Sequence, residues 1–90
     1  SGDARSRIAA MREAAQAADP EALRVAAHAL KGACANLGAR RMAVLSDRLQ
    51  SLGREGRTDG ADSLLDQLQV AFSEVQAALE RILSSHARGA

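Results

Sequence analysis

The segment from Asp19 to Gly38, DPEALRVAAHALKGACANLG, contains the clearest helix start and helix end in the chain. An aspartate at the N-cap can accept hydrogen bonds from free backbone amides, and proline fits the first helical position. Gly38 suits a helix C-cap, where a left-handed backbone conformation is favoured. The segment therefore predicts a helix over residues 20–37.

On a helical wheel, this segment has an apolar face with a histidine on the opposite side. The apolar face consists of Leu23, Ala26, Ala27, Leu30, Ala33, Cys34 and Leu37. His28 is surrounded at helical spacings by Arg24, Lys31, Gly32 and Ala35. Because glycine inside a helix costs about 1 kcal/mol relative to alanine, Gly32 on a solvent face indicates that another molecule approaches the imidazole. Lys31 adds positive charge suited to a phosphoryl group or an acidic protein surface.

The pattern His28-x-Leu30-Lys31-Gly32, followed by Leu37-Gly38, resembles the signature of histidine-containing phosphotransfer (HPt) domains. The resemblance implies that His28 accepts a phosphoryl group on Nε2 from a receiver-domain aspartate and passes it to another receiver. Lys31 would then offset phosphoryl charge or meet the acidic rim of the receiver, while Gly32 and Ala35 would leave room for it. Arg24, on the same helix face, is a candidate contact residue.

The same resemblance implies response-regulator receiver domains and a hybrid sensor histidine kinase as candidate partners. The receiver would bring Mg²⁺, so we expect no cofactor in this domain. The chain has no glycine-rich phosphate loop and no nucleotide-binding motif, so we expect a phosphocarrier without kinase activity of its own. Two alternatives stay open: a helical interaction module that is never phosphorylated, and a hydrolase that uses His28 as a base.

Composition narrows the class of protein further. The 90 residues are 47% apolar but include one Phe and no Trp or Tyr, which predicts one domain over residues 1–90 with an aliphatic, helical core. A net charge of +1 and the lack of aromatic platforms argue against nucleic acid binding. No apolar run reaches the ~20 residues of a membrane span. The single Cys34 indicates a reducing compartment, hence a cytoplasmic protein, and no metal-ligand spacing is present.

Apolar spacing predicts four helices, at about residues 4–18, 20–37, 39–55 and 60–86. The third has apolar residues at helical spacing, namely Met42, Leu45, Leu49 and Leu52. The fourth has the longest such stripe, made of Leu64, Leu65, Leu68, Phe72, Val75, Leu79 and Ile82. Short connections between them predict an all-α, antiparallel up-and-down four-helix bundle. Since these stripes suffice for one bundle, we expect a monomer.

Overall fold

The computed structural model describes residues 2–37 and 39–89, including the side chains of residues 3–36 and 39–85. The chain forms four helices: α1 (Gly2–Gln16), α2 (Pro20–Leu37), α3 (Arg40–Arg54) and α4 (Ala61–Gly89). Each helix packs against its neighbour in sequence, and α4 returns to contact α1. The predicted all-α four-helix bundle is confirmed, and the described ranges contain no β-strand.

Helix α1 ends at Gln16, two residues before the predicted end at about Ala18. Ala18 adopts a positive φ of 50°, which stops the helix. The amide of Ala18 donates to the carbonyl of Ala15 at 3.2 Å, and that of Asp19 donates to Ala14 at 2.9 Å. These two bonds form a Schellman motif, here with alanine at the left-handed position where glycine is usual.

Helix α2 begins as its sequence predicts. The backbone amide of Ala22 donates to Oδ1 of Asp19 at 3.1 Å, so Asp19 is the N-cap and Pro20 is the first helical residue. At the other end, the amide of Ala39 donates to the carbonyl of Cys34 at 3.1 Å. The predicted C-cap residue Gly38 and the side chain of Leu37 lie outside the described residues.

The core is aliphatic, with one aromatic ring from Phe72. Its fully enclosed side chains come from all four helices and include Met11, Leu23, Leu30, Leu49, Leu65 and Leu68. Gly53 is buried where α3 meets the start of α2. A Cβ atom there would lie 2.5 Å from the carbonyl oxygen of Pro20 and 2.8 Å from the amide nitrogen of Arg24. Glycine is therefore needed at position 53, because the two backbones approach each other directly.

Helix α4 extends well past the other three. At about 1.5 Å per residue, its 29 residues account for most of the 51 Å long axis of the molecule. The predicted α4 stripe belongs to the core only as far as Val75, since Leu79 and Ile82 are 47% and 63% exposed. Among the described residues, no helix is both long enough and apolar enough to span a membrane.

Candidate functional site

His28 lies on the outer face of α2, with an exposed side chain, as the helical wheel predicts. Its ring is held from the neighbouring helix: Nε2 of Gln50 on α3 lies 3.1 Å from Nδ1 of His28. Gln50 is only 5% exposed, so its amide group is held beside the ring by the surrounding core. No described side chain makes a hydrogen bond to the Nε2 atom of His28. The arrangement fixes one nitrogen of an exposed ring and leaves the other without a hydrogen bond to any described side chain.

The amide of Gln50 can serve either tautomer of the ring. When its NH₂ group faces Nδ1, that nitrogen must accept, so the proton of a neutral ring is on Nε2. When the amide is rotated by half a turn, Oε1 accepts from Nδ1–H and Nε2 keeps its lone pair. Oε1 of Gln50 has no hydrogen-bond partner among the described residues, although it is buried. The rotated state would satisfy it and would make Nε2 the nucleophilic nitrogen.

Lys31 forms an ion pair across the same two helices. Its Nζ donates to Oδ1 of Asp47 at 2.8 Å, with both side chains about half exposed. The hydrogen bond and the positive charge of Lys31 lower the pKa of the Asp47 carboxyl. The pairs His28–Gln50 and Lys31–Asp47 are successive contacts between antiparallel helices. Lys31 thus lies on the His28 side of α2, as predicted, but its ammonium is engaged.

Arg24 is also paired. Its Nε and Nη2 atoms donate to the two carboxylate oxygens of Glu21, at 2.8 and 2.6 Å. This hydrogen bonding and the charge of Arg24 lower the pKa of Glu21. Arg24, the predicted contact residue, therefore forms an ion pair with Glu21 within α2, one turn before His28.

The two small residues predicted near His28 leave open surface. A Cβ atom added at Gly32 would meet nothing within 4 Å, in contrast to Gly53, and Ala35 is exposed. The packing of this fold therefore gives no reason for a glycine at position 32. Gly32 therefore lowers the stability of α2 by about 1 kcal/mol relative to alanine without any gain in packing.

Comparison with known protein families gives a match over nearly the whole chain. A sequence model of the Hpt domain matches residues 2–84. The chain belongs to the Hpt domain family. Comparisons with curated proteins and with solved structures gave no match. Hpt domains are phosphocarriers of phosphorelays rather than kinases, and they interact with the receiver domains of response regulators.

Two residues that contact the predicted site were missed from the sequence: Gln50, which contacts His28, and Asp47, which contacts Lys31. Both lie on α3, and their contacts with α2 depend on the axial register of the two helices, which a single sequence does not give. One signal was present. Gln50 lies between Leu49 and Gly53 on the buried side of α3, and a buried polar residue usually has a partner.

The one cysteine of this Hpt domain, Cys34, is enclosed. Cys34 is buried, and that burial raises the pKa of its thiol. The described residues contain no group of three or more His, Cys, Asp or Glu side chains that could hold a metal ion. The side chain of His86 is outside the described residues.

Proposed function

We propose that His28 is the phosphoryl acceptor and donor of this Hpt domain, taking the group from a receiver aspartate and passing it to a second receiver. The observation that carries the proposal is the asymmetric setting of the ring. Nδ1 is held by a buried amide at 3.1 Å, while Nε2 is free of hydrogen bonds to described side chains on an exposed helix face.

The transfer is a displacement at phosphorus. The lone pair of His28 Nε2 attacks the phosphorus atom of the aspartyl phosphate, an N–P bond forms, and the P–O bond to the aspartate breaks. The carboxylate leaves with the bonding electrons. The imidazole becomes an N-phosphorylated cation that keeps its proton on Nδ1, and Oε1 of Gln50 can accept a hydrogen bond from that proton. The reverse step, with a second aspartate attacking, returns the ring to its neutral state.

The residues around His28 would assist by charge and by space. Phosphoryl transfer depends on in-line positioning and on neutralising charge. Lys31 would contribute one positive charge, and Gly32 and Ala35 would let the receiver backbone approach the imidazole. Mg²⁺ bound in the acidic pocket of the receiver would neutralise the remaining phosphoryl charge. Arg24 would contact the receiver only after its pair with Glu21 rearranges.

The test is phosphotransfer from phosphorylated receivers, followed by mass spectrometry of the intact domain. We expect a gain of one phosphoryl group that is labile in acid and stable in alkali. The matched pair of variants is His28→Gln and His86→Gln, because these are the two histidines of the chain. The first should abolish the label while the fold is retained, since His28 is exposed. The second should be labelled like the parent chain.

Two results would contradict the proposed role of His28. Binding of a receiver without any phosphoryl transfer would favour the interaction module that is never phosphorylated. A label that persists in His28→Gln would place the acceptor elsewhere. The hydrolase alternative gains no support from the site, because the described group in hydrogen-bond contact with His28 is the amide of Gln50, which is neither an acid nor a nucleophile.

A further inference from the structure

The ion pair between Lys31 and Asp47 conflicts with the role proposed for Lys31. Lys31 is the one lysine of the chain and lies one helical turn after His28, and its Nζ is bound to Oδ1 of Asp47 at 2.8 Å. A phosphoryl group on His28 would have to compete with this carboxylate for the same cation. The negative charge of Asp47 lies on α3 one turn before Gln50, the residue that contacts the His28 ring.

Asp47 is surrounded by basic side chains on the surface formed by α2 and α3. The residues that line a shallow depression beside the pair include three basic ones, Lys31, Arg40 and Arg48. Asp47 is the acidic residue in this lining. Arg54, one turn after Gln50, adds to the lowering of the Asp47 pKa. Asp47 is therefore ionised at neutral pH, in surroundings that otherwise favour a phosphoryl group.

We propose that Asp47 competes with the phosphoryl group for Lys31, in an ion pair that must open before Lys31 can neutralise a phosphorylated His28. The inference rests on the proposed function of His28. Lys31 and Asp47 are 47% and 53% exposed, so the pair can open without disturbing the core. Asp47 is a positioning residue, because it acts through Lys31. By holding Lys31, it makes the phosphorylated domain less stable than it would be if Lys31 were unpaired, so the phosphoryl group leaves more readily for the next receiver.

The size of the effect follows from the exposure of the pair. Exposed ion pairs change equilibrium constants by about 1.5- to 5-fold. Removing the carboxylate with Asp47→Asn should therefore favour the phosphorylated domain by about that factor. The conservative variant Asp47→Glu can keep the ion pair, and it should behave like the parent chain.

The first experiment needs no receiver. Phosphoramidate transfers its phosphoryl group to Nε2 of His28 and releases ammonia, in a chain that carries His86→Gln so that one histidine remains. The pH titration of the attached phosphoryl group is then followed by ³¹P NMR. We expect Asp47→Asn to lower the titration midpoint by about 0.2–0.7 pH units, the equivalent of a 1.5- to 5-fold change. In a Lys31→Met background, the same substitution should lower it by less.

A matched control is available on the far side of the bundle. Asp66 on α4 pairs with Arg12 on α1 at 2.9 Å, which is likewise an interhelical ion pair. Asp66→Asn should leave the midpoint unchanged. An equal shift in Asp66→Asn would mean that only net charge matters and would overturn the proposal. Equal shifts for Asp47→Asn with and without Lys31 would overturn it too, because Asp47 would then act through its own charge alone.

A second experiment separates this inference from the proposed function. Each variant is mixed with a phosphorylated receiver, and the fraction of phosphorylated domain at equilibrium is measured. Asp47→Asn should raise the ratio of phosphorylated to free domain by about 1.5- to 5-fold. If no receiver transfers its phosphoryl group but the NMR shifts are as expected, the proposed function fails and the competition for Lys31 stands. If transfer occurs and Asp47→Asn changes neither measurement, the competition fails alone.

Discussion

Gly32 and Gly53 provide a matched pair of glycine-to-alanine substitutions with opposite expected effects on stability. Gly32 lies in the interior of α2, so alanine gains about 0.5–1 kcal/mol of helix propensity there, and Gly53 lies next to the end of α3, where the gain is at most that. They differ in what a new Cβ atom would meet. At Gly32 it meets nothing within 4 Å, and at Gly53 it lies 2.5 Å from a backbone oxygen of α2.

The structure sets the size of each effect. Gly32→Ala should raise the free energy of unfolding by about 0.5–1 kcal/mol. For a domain of this size, that corresponds to an increase in Tm of roughly 2–8 °C. Gly53→Ala must push α2 and α3 apart, because backbone atoms cannot move aside as side chains do. Overpacking of this kind costs about 1–3 kcal/mol, so the net result after the propensity gain is a loss of up to about 2 kcal/mol.

Urea unfolding followed by circular dichroism at 222 nm measures both variants, and phosphotransfer from a receiver is measured on the same samples. Gly32→Ala should be more stable yet transfer more slowly, and Gly32→Leu should transfer more slowly still, because the added side chain crowds the approach to His28. A destabilised Gly32→Ala would show that the space around Gly32 is not open. Transfer by Gly32→Leu at the parent rate would show that the glycine has another cause.

Three further predictions concern stability and reactivity. Ala18→Gly should raise the free energy of unfolding by up to about 1 kcal/mol, since Ala18 has φ 50°; a clear loss in urea unfolding would argue against the Schellman motif. Asp19→Ala should lower it by about 1 kcal/mol through loss of the N-cap bond to Ala22, and Asp19→Asn, which can still accept, should lose less; equal losses would refute the capping role. Because burial raises the thiol pKa of Cys34, its alkylation at pH 8 should be much slower in the folded chain than in urea; equal rates would contradict the enclosed position.

The sequence predicts α2 best, because its signals agree with one another. Asp19 and Pro20 mark the helix start, and five apolar-face residues are buried as expected: Leu23, Ala26, Ala27, Leu30 and Cys34. A strong apolar stripe and a cap depend only on local spacing, which a single sequence contains in full. The same local spacing places His28 on the exposed face.

What the sequence does not predict depends on contacts between helices. The partners of His28 and Lys31 come from α3, so they require the relative position of two helices rather than the pattern of one. Helix α4 shows a second limit. Its apolar spacing continues to Ile82, but the other helices are too short to cover it beyond Val75. Periodicity predicts which side of a helix is apolar, and it does not predict how much of that side finds a partner.

The close backbone contact at Gly53 has a consequence for which parts of the chain can change. It fixes the axial register of α2 and α3, and a slip of one residue would move Gln50 by about 1.5 Å along the helix and 100° around it, out of reach of the imidazole. The α2–α3 hairpin therefore carries the described side chain that contacts His28, whereas α1 and α4 contribute apolar side chains that complete the core. Substitutions that keep α1 and α4 apolar on their inner sides should be tolerated, and an engineer could replace these two helices while keeping the hairpin intact.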